Sequence, residues 1–349
     1  MNQGRDLSTT KETITDLAVE GAAAKLVSIG TVLLSFKLSI GKVGIARRPM
    51  FTNEAIAALP VRDPSRLLPE YLCWALASMD LVGGANRAAM GATLNKAKLQ
   101  QLMIPLPPME EQRRIAAILD QADALRAKRR EALAHLDDLT QSIFLDMFGD
   151  PVTNTREWRV MAFGDVCQTR LGKMLDAKQQ TGNHVRAYLR NANVQWFNFD
   201  LDDVLTMDFD PAARELFRLR DGDLLICEGG RPGRSAIWRG ELEECYYQKA
   251  LHRARPLRDR ATPEYLAFML WIFVERGALD DHISSATIAH LTSERLKAMP
   301  VPVPPLAMQS AFADRVAEIE RVRAVGQAHS VELDGLFASL QARAFAGEL

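Results

Sequence analysis

Three segments in the second half of the sequence are rich in arginine, lysine and carboxamide side chains. Such side chains pair with the phosphates and base edges of nucleic acids when loops present them from a firm scaffold. The candidates for nucleic-acid contact in these segments are Arg190, Asn191, Asn193, Arg231, Arg234, Lys249 and Arg253. Glycines beside Arg231 and Arg234 would let the backbone approach a phosphate closely, although an ordinary hairpin with solvated arginines has the same pattern.

The first part of the sequence contains a similar but less basic turn around Gly41. Its candidates are Lys37, Lys42 and, shortly after the turn, Asn53. Short β-rich runs flank both turns, at residues 31–45 and 223–238. Each turn is therefore expected to join two strands.

The sequence lacks the motifs that carry catalysis or hold cofactors. It has no GxGxxG, HExxH or Walker A motif, and no Asn/Asp-Pro-Pro-aromatic motif of amino-methyltransferases. Its four cysteines lack the CxxC spacing of zinc sites. We therefore predict that the chain is not an enzyme and that it holds neither a metal ion nor a cofactor.

The composition is that of a packed globular protein, with 48% hydrophobic and 25% charged residues in 349. A net charge of -1 argues against coating of DNA by bulk electrostatics, but it is compatible with local basic patches. No run approaches the roughly 18 apolar residues of a membrane span, and the first residues show no signal-peptide pattern. We expect a cytoplasmic protein with no membrane partner.

The sequence repeats itself after about 200 residues. Residues 104–112 read IPLPPMEEQ and residues 301–309 read VPVPPLAMQ, a separation of 197 positions. The same separation joins Leu99 to Leu296. Because so long a unit exceeds the roughly 20 to 50 residues of solenoid repeats, the pattern indicates a duplicated domain with a pseudo-two-fold relation.

Each half has the same order of parts, namely an α/β front, a proline-rich connector and a long helix. Proline at the first turn predicts helices that begin at Pro69 and Pro263, and long helices are predicted over about residues 109–147 and 308–345. Consecutive prolines fix φ and so set the direction in which each long helix leaves its connector. The predicted divisions are 1–104 and 151–301 for the α/β domains, and 105–150 and 302–349 for the connectors with their helices.

Both long helices carry an apolar heptad pattern. The predicted seam residues are Ile115, Ile118, Leu125, Leu136, Leu139 and Ile143 in the first helix, and Phe312, Ile319, Leu333, Leu336 and Leu340 in the second. A helix of some 38 residues would extend roughly 57 Å, so it needs a partner along its length. We expect an antiparallel coiled coil, because two separate helices would leave apolar stripes in water. The predicted fold class is thus α/β, with mixed α+β domains, two paired long helices and an internal two-fold repeat.

With its two proline-rich connectors, each followed by a long helix, the sequence resembles the specificity subunit of type I restriction-modification systems over nearly its whole length. The resemblance implies two target-recognition domains that bind the halves of a split sequence in double-stranded DNA, held apart by the paired helices. It also implies two modification (methyltransferase) subunits, which bring S-adenosylmethionine and methylate adenine, and restriction subunits, which use ATP. Magnesium, like these cofactors, would then belong to the partner subunits.

One feature departs from the family pattern. About 64 residues separate Trp158 from Gly222, whereas 29 residues precede the corresponding Gly30. The first recognition domain is therefore predicted to be about 35 residues shorter at its start. The competing hypothesis is an assembly scaffold, or a truncated specificity subunit with only one functional recognition domain, which could act as a homodimer. A nuclease or methyltransferase in its own right would require turnover by the purified chain.

Overall fold

The computed structural model describes residues 4–10, 12–21, 25–37, 39–81, 86–88, 91–93, 96–176, 180–280 and 290–349. The chain divides into two compact units. Unit 1 consists of Met1–Ala132 and Gly326–Leu349, and unit 2 consists of Leu133–Val325. Each unit therefore contains one α/β part and one portion of each long helix. None of the helices among the described residues is long and apolar enough to cross a membrane.

Unit 1 is built on a four-stranded sheet. The elements of its α/β part are β1 (Asp6–Leu7), α1 (Asp16–Gly21), β2 (Val32–Ser35), β3 (Val43–Ala46), β4 (Ile56–Leu59), α2 (Pro69–Ala77), β5 (Asn86–Ala88), β6 (Gly91–Thr93) and α3 (Lys96–Gln100). The sheet has the order β1-β3-β2-β4, and β5 and β6 form a separate antiparallel pair. β2 pairs antiparallel with both β3 and β4, so β4 is an edge strand of the sheet.

More strands are found in the described residues of unit 2 than in those of unit 1. Its α/β part comprises β7 (Val160–Ala162), α5 (Phe163–Val166), β8 (Cys167–Leu171), β9 (Val185–Leu189), β10 (Leu205–Asp208), α6 (Pro211–Phe217), β11 (Leu224–Cys227), β12 (Ser235–Ile237), β13 (Tyr246–Tyr247), β14 (Leu251–Pro256), α7 (Pro263–Glu275), α8 (Ser293–Ala298) and β15 (Pro300–Pro302). A four-stranded sheet has the order β12-β11-β14-β8, a three-stranded sheet the order β10-β9-β13, and β15 pairs with β7.

The central strands and the helix after them form the core of each unit. β2 reads VLLS and β11 reads LLIC, and all residues of both strands are buried, as expected for strands covered on both faces. α7 begins with proline at its first turn and buries eight residues. Its N-cap Thr262 accepts a hydrogen bond from the Tyr265 N–H, which satisfies a helix-end donor.

The two sheets share one strand register, which supports the internal repeat. In unit 1, Val32 lies opposite Ile45 on one side and opposite Leu59 on the other. In unit 2, Leu224 lies opposite Ile237 and Ala254. The corresponding strands are therefore β2 and β11, β3 and β12, and β4 and β14.

The long helices are α4 (Met109–Phe148) and α9 (Leu306–Ala346). In unit 1 the two helices pack antiparallel. Arg126 of α4 pairs with Asp334 of α9, and Arg114, which comes earlier in α4, contacts Leu349, which follows α9. The same arrangement holds in unit 2. There the Phe144 ring lies 5.4 Å from the Phe312 ring, and Asp137 pairs with Arg323 at 2.7 Å.

Three of the predicted seam residues lie on the exposed side of these helices. Leu125, Leu139 and Leu336 are 51%, 46% and 54% exposed. The residues that follow them, Arg126, Thr140 and Phe337, lie at the less exposed positions instead. The other predicted seam residues are less exposed: Ile115, Phe312 and Ile319 are buried, and Ile118, Leu136, Ile143, Leu333 and Leu340 are partly buried.

The buried positions lie one residue after the predicted ones because polar side chains can be accommodated there. The Arg126 guanidinium lies 4.2 Å from the centroid of the Phe337 ring, and its Nε donates to Asp334 Oδ1 at 2.6 Å. The Thr140 hydroxyl donates to the Leu136 carbonyl at 2.8 Å. Polar side chains whose hydrogen bonds are satisfied can occupy interior positions. A prediction that counts only apolar residues therefore assigns the adjacent leucine to the buried position.

Candidate nucleic-acid interface

The turn between β11 and β12 has a defined backbone geometry. The Cys227 N–H donates to the Arg234 carbonyl at 2.8 Å, and the Gly233 N–H donates to the Cys227 carbonyl at 3.0 Å. Gly233 has a φ of +85°, and a Cβ there would approach Leu279 to 2.5 Å. The backbone conformation therefore favours glycine, and a larger residue would also displace the Leu279 side chain.

Loops that follow neighbouring strands meet this turn. Asn191 follows β9 and its Nδ2 donates to the Gly229 carbonyl at 2.9 Å. Lys249 follows β13, and the next residue, Ala250, accepts a hydrogen bond from the Glu228 N–H at 2.9 Å. The structure thus brings Asn191, the turn and the Lys249 loop to one end of the unit 2 sheets.

Arg234 ties the turn to the loop after β9. Its Nη2 donates to the Asn191 carbonyl at 2.8 Å and its Nη1 donates to Gln195 Oε1 at 3.3 Å. Among the described residues, neither Arg234 Nε nor Asn191 Oδ1 has a hydrogen-bond partner, although both are buried. The cluster therefore contains a donor and an acceptor that protein groups leave unsatisfied, beside the exposed side chain of Arg231.

Unit 1 contains the same turn with different side chains. The Ser35 N–H donates to the Lys42 carbonyl at 2.9 Å, and the Gly41 N–H donates to the Ser35 carbonyl at 3.0 Å. Gly41 has a φ of +88°. Lys42 thus occupies the position that Arg234 occupies in unit 2, and its side chain is exposed.

These paired turns belong to a known kind of domain. A family model for the type I restriction modification DNA specificity domain matches residues 2–135 and 155–324. The chain belongs to this family.

Curated relatives carry the same family name at modest identity. The type I restriction enzyme MjaIX specificity subunit of Methanocaldococcus jannaschii is 26% identical over 184 residues, which are 48% of this chain and 42% of the relative. The EcoKI specificity subunit of Escherichia coli K12 is 23% identical over 287 residues, or 74% of this chain and 61% of the relative. The matches therefore span less than two thirds of these relatives.

Solved structures show the same fold. One chain, from a study of complex assembly and conformational transition of the type I R-M system, has a TM-score of 0.61 at 18% identity and covers 93% of this chain and 84% of that one. The type I restriction-modification S subunit from M. genitalium has a TM-score of 0.56 at 14% identity, covering 91% and 83%. At these identities the likeness concerns architecture alone.

Two predicted contact residues of the second specificity domain lie in its interior. Asn193 is 2% exposed, and its carboxamide accepts from the Arg190 N–H and donates to the carbonyls of Asp200 and Asp203. Arg253 is 6% exposed, and burial lowers the pKa of its guanidinium. Asn193 shapes a loop and Arg253 packs inside the domain, so their placement does not support direct DNA contact.

The remaining candidates of the second specificity domain are accessible to different degrees. Arg190 is partly exposed but forms an ion pair with Asp203. Lys249 and Arg231 are exposed. Lys173, which was not a candidate, lies beside Lys249, because its carbonyl accepts from the Lys249 N–H at 2.8 Å, but its own ammonium donates to the Asp208 carbonyl at 2.6 Å. Its position directly after Gly172 at the end of β8 is the signal that could have identified it.

In the first specificity domain, Lys37 and Asn53 flank the turn that carries Lys42. The Lys37 ammonium lies 5.7 Å from the Phe36 ring centroid. Asn53 is exposed, and its Oδ1 accepts from the Ala55 N–H at 3.1 Å, which leaves its Nδ2 for other contacts. Over the described residues of both domains, no group of three or more His, Cys, Asp or Glu side chains could hold a metal ion.

Proposed function

We propose that this chain is the sequence-specific DNA-recognition subunit of a type I restriction-modification complex and performs no chemistry itself. The observation that carries the proposal is the glycine turn that occurs twice with one hydrogen-bond frame, presenting Arg234 in one unit and Lys42 in the other. Such turns let backbone and cationic side chains meet phosphates, and loops on a firm sheet can reach base edges.

The target is proposed to be bipartite and asymmetric. Two related modules favour two half-sites, as in other two-fold DNA readers. The modules carry different side chains at equivalent positions of the turn, where Arg234 in unit 2 corresponds to Lys42 in unit 1. Unlike modules would read unlike half-sites, with a non-specific spacer whose length depends on an antiparallel coiled coil of α4 and α9.

The partners are proposed from the family. Relatives are named as specificity subunits of type I restriction enzymes. Two modification subunits would bind this chain and bring S-adenosylmethionine for adenine methylation, and restriction subunits would use ATP and magnesium. The chain itself would hold no cofactor and would work in the cytoplasm, where these partners and DNA meet.

The test is to express the chain with its modification partner in cells and map methylated adenines by sequencing. We expect one asymmetric motif of two short specified parts, separated by unspecified bases. A single contiguous motif would contradict the bipartite proposal. Methylation with no sequence preference would contradict DNA recognition by this chain.

The assembly-scaffold alternative is favoured by one observation, the smaller number of strands in the part of unit 1 that the structure describes. It predicts that the complex binds all duplex sequences with one affinity. The two hypotheses can be separated by competition binding. The affinity for the mapped motif is compared with that for a duplex whose first half-site is scrambled and with that for a duplex whose second half-site is scrambled. If scrambling the second half-site lowered the affinity and scrambling the first did not, only one recognition domain would read the DNA sequence.

A further inference from the structure

Two arginines lie side by side on neighbouring strands of unit 2. Arg253 in β14 is directly opposite Arg170 in β8. Residues that face each other in an antiparallel pair have their Cβ atoms roughly 5 Å apart on one face of the sheet, where like charges repel. The two guanidinium groups therefore belong to one small site, which we call the paired-arginine site.

Arg253 is the buried member of this pair. It is 6% exposed, and its Nη1 donates to the Leu216 carbonyl at 3.3 Å. Within the part of the chain that the structure describes, its Nε has no hydrogen-bond partner, and no carboxylate pairs with Arg253 or Arg170. Because buried charges in proteins are usually paired with an opposite charge, this guanidinium has an unusual environment.

The next arginine on the same face of β14 has the expected partner. Arg255 donates from Nε and Nη2 to the two carboxylate oxygens of Asp223, at 2.6 Å and 2.7 Å. These hydrogen bonds raise the pKa of Arg255, whereas burial lowers the pKa of Arg253. Since both oxygens of Asp223 are bound to Arg255, the positive charge of the paired-arginine site is left uncompensated.

A buried hydroxyl lies against the same site. Tyr247 is fully buried, and its hydroxyl has no hydrogen-bond partner among the described residues. The Tyr247 ring centroid lies 6.0 Å from the guanidinium carbon of Arg253 and 5.8 Å from the Phe217 ring, which in turn lies 6.0 Å from the guanidinium carbon of Arg170. Burial raises the pKa of Tyr247 to about 12, so the hydroxyl keeps its proton at neutral pH and can donate a hydrogen bond.

We propose that the paired-arginine site binds a phosphate group, which accepts hydrogen bonds from Arg170, Arg253 and the Tyr247 hydroxyl. Guanidinium groups present pairs of N–H donors that match phosphate oxygens, and a phosphate dianion would neutralise both charges. Arg170 is exposed whereas Arg253 is enclosed, so the anion would enter beside Arg170. This enclosure favours a free phosphate ion over a phosphate of the DNA backbone.

The probe is inorganic phosphate, titrated into the full chain at constant ionic strength in chloride and followed by phosphorus NMR. We expect saturable binding of one phosphate per chain. Arg170→Gln and Tyr247→Phe should each weaken it about fivefold or more, because each removes a hydrogen bond to a charged group. Tyr247→Phe removes only a hydroxyl that has no partner in the described protein, so the fold should be retained. Arg258→Gln, at an exposed arginine outside the site, is the matched control and should bind within about twofold of the wild type.

Duplex DNA distinguishes the two sources of phosphate. In the complex of the chain with its modification partner, Arg170→Gln and Tyr247→Phe should bind duplex as tightly as Arg258→Gln does, and DNA should not displace inorganic phosphate. Loss of DNA affinity in the first two variants alone, with displacement of phosphate by DNA, would instead identify the DNA backbone as the source.

The inference would be overturned if the wild type and all three variants bound phosphate equally, or if none bound it, and if their affinities for DNA were also equal. The phosphate titration needs neither DNA nor a partner subunit. Its failure is therefore distinct from a failure of the proposed function in DNA recognition.

Discussion

Gln112 and Gln309 make the same three hydrogen bonds in the two units. Both are fully buried. In unit 1, Gln112 Nε2 donates to the carbonyls of Pro107 and Arg66, both at 2.8 Å, and its Oε1 accepts from the Leu68 N–H at 2.9 Å. One carboxamide thus ties the proline-rich connector to the segment that leads into α2.

In unit 2, Gln309 forms the equivalent set. Its Nε2 donates to the carbonyls of Pro304 at 2.8 Å and Arg260 at 3.2 Å, and its Oε1 accepts from the Thr262 N–H at 2.9 Å. The glutamine of each connector therefore fixes where the long helix begins relative to its own α/β part.

Gln112→Leu is expected to lower the free energy of unfolding by about 2–4 kcal/mol, because buried backbone groups left without partners cost about 1–3 kcal/mol each. Urea unfolding followed by circular dichroism measures the change. Gln121→Leu, at an exposed position of the same helix, is the matched control and should change stability by less than about 0.5 kcal/mol. Equal effects of the two substitutions would contradict the role of Gln112.

The buried line of α4 can be tested with two leucines. Leu119 is fully buried whereas Leu125 is 51% exposed. Leu119→Ala should destabilise the chain by about 2–5 kcal/mol, and Leu125→Ala by less than about 1 kcal/mol. Thermal unfolding of both variants compares them directly. A larger loss for Leu125→Ala would restore the heptad assignment predicted from the sequence.

Arg231→Ala should weaken DNA binding by the complex of this chain with its modification partner. Since Arg231 is exposed in the candidate turn, we expect the slope of log affinity against log salt to fall by about 1, with unfolding unchanged. Arg253→Gln, at the buried arginine, should instead lower stability. If the salt slope of Arg231→Ala matched that of the wild type, Arg231 would not contact a phosphate.

Stability should depend on pH through His252. Burial lowers the pKa of this imidazole, which is fully enclosed and hydrogen-bonded through Nε2 to the Leu291 carbonyl at 2.7 Å. The folded chain therefore favours the neutral ring, and the stability it contributes is present above the unfolded pKa of 6.5 and declines as pH falls below that value. Urea midpoints of the wild type should fall more between pH 8 and pH 5 than those of His252→Gln. Parallel curves for the two proteins would rule out this contribution.

Removing one heptad from each long helix should shorten the preferred DNA spacer and leave the half-site bases unchanged. Seven residues correspond to roughly 10 Å of helix, or about 3 base pairs of DNA. Sequencing of methylated adenines in cells that express the shortened chain gives the spacer directly. New half-sites with the old spacer would contradict the proposal that the helices set the spacing.

Much of the fold could be predicted because its signals are local. Proline at the first turn marked the starts of α2 and α7, glycine marked the turns at Gly41 and Gly233, and apolar periodicity marked α4 and α9. The repeat itself was evident from the connectors. Each of these features depends on φ preferences or on the spacing of side chains within one element, which the order of residues specifies.

The tertiary structure alone decided which polar residues are buried. Asn193 and Arg253 are of residue types that often contact DNA, yet strands and loops distant in sequence enclose them. The second seam line of the helices moved from Leu125 to Arg126 because Asp334 and Phe337 satisfy the guanidinium. Burial and hydrogen-bond satisfaction depend on what packs against a residue, and that neighbour is set by the assembled sheets and helices.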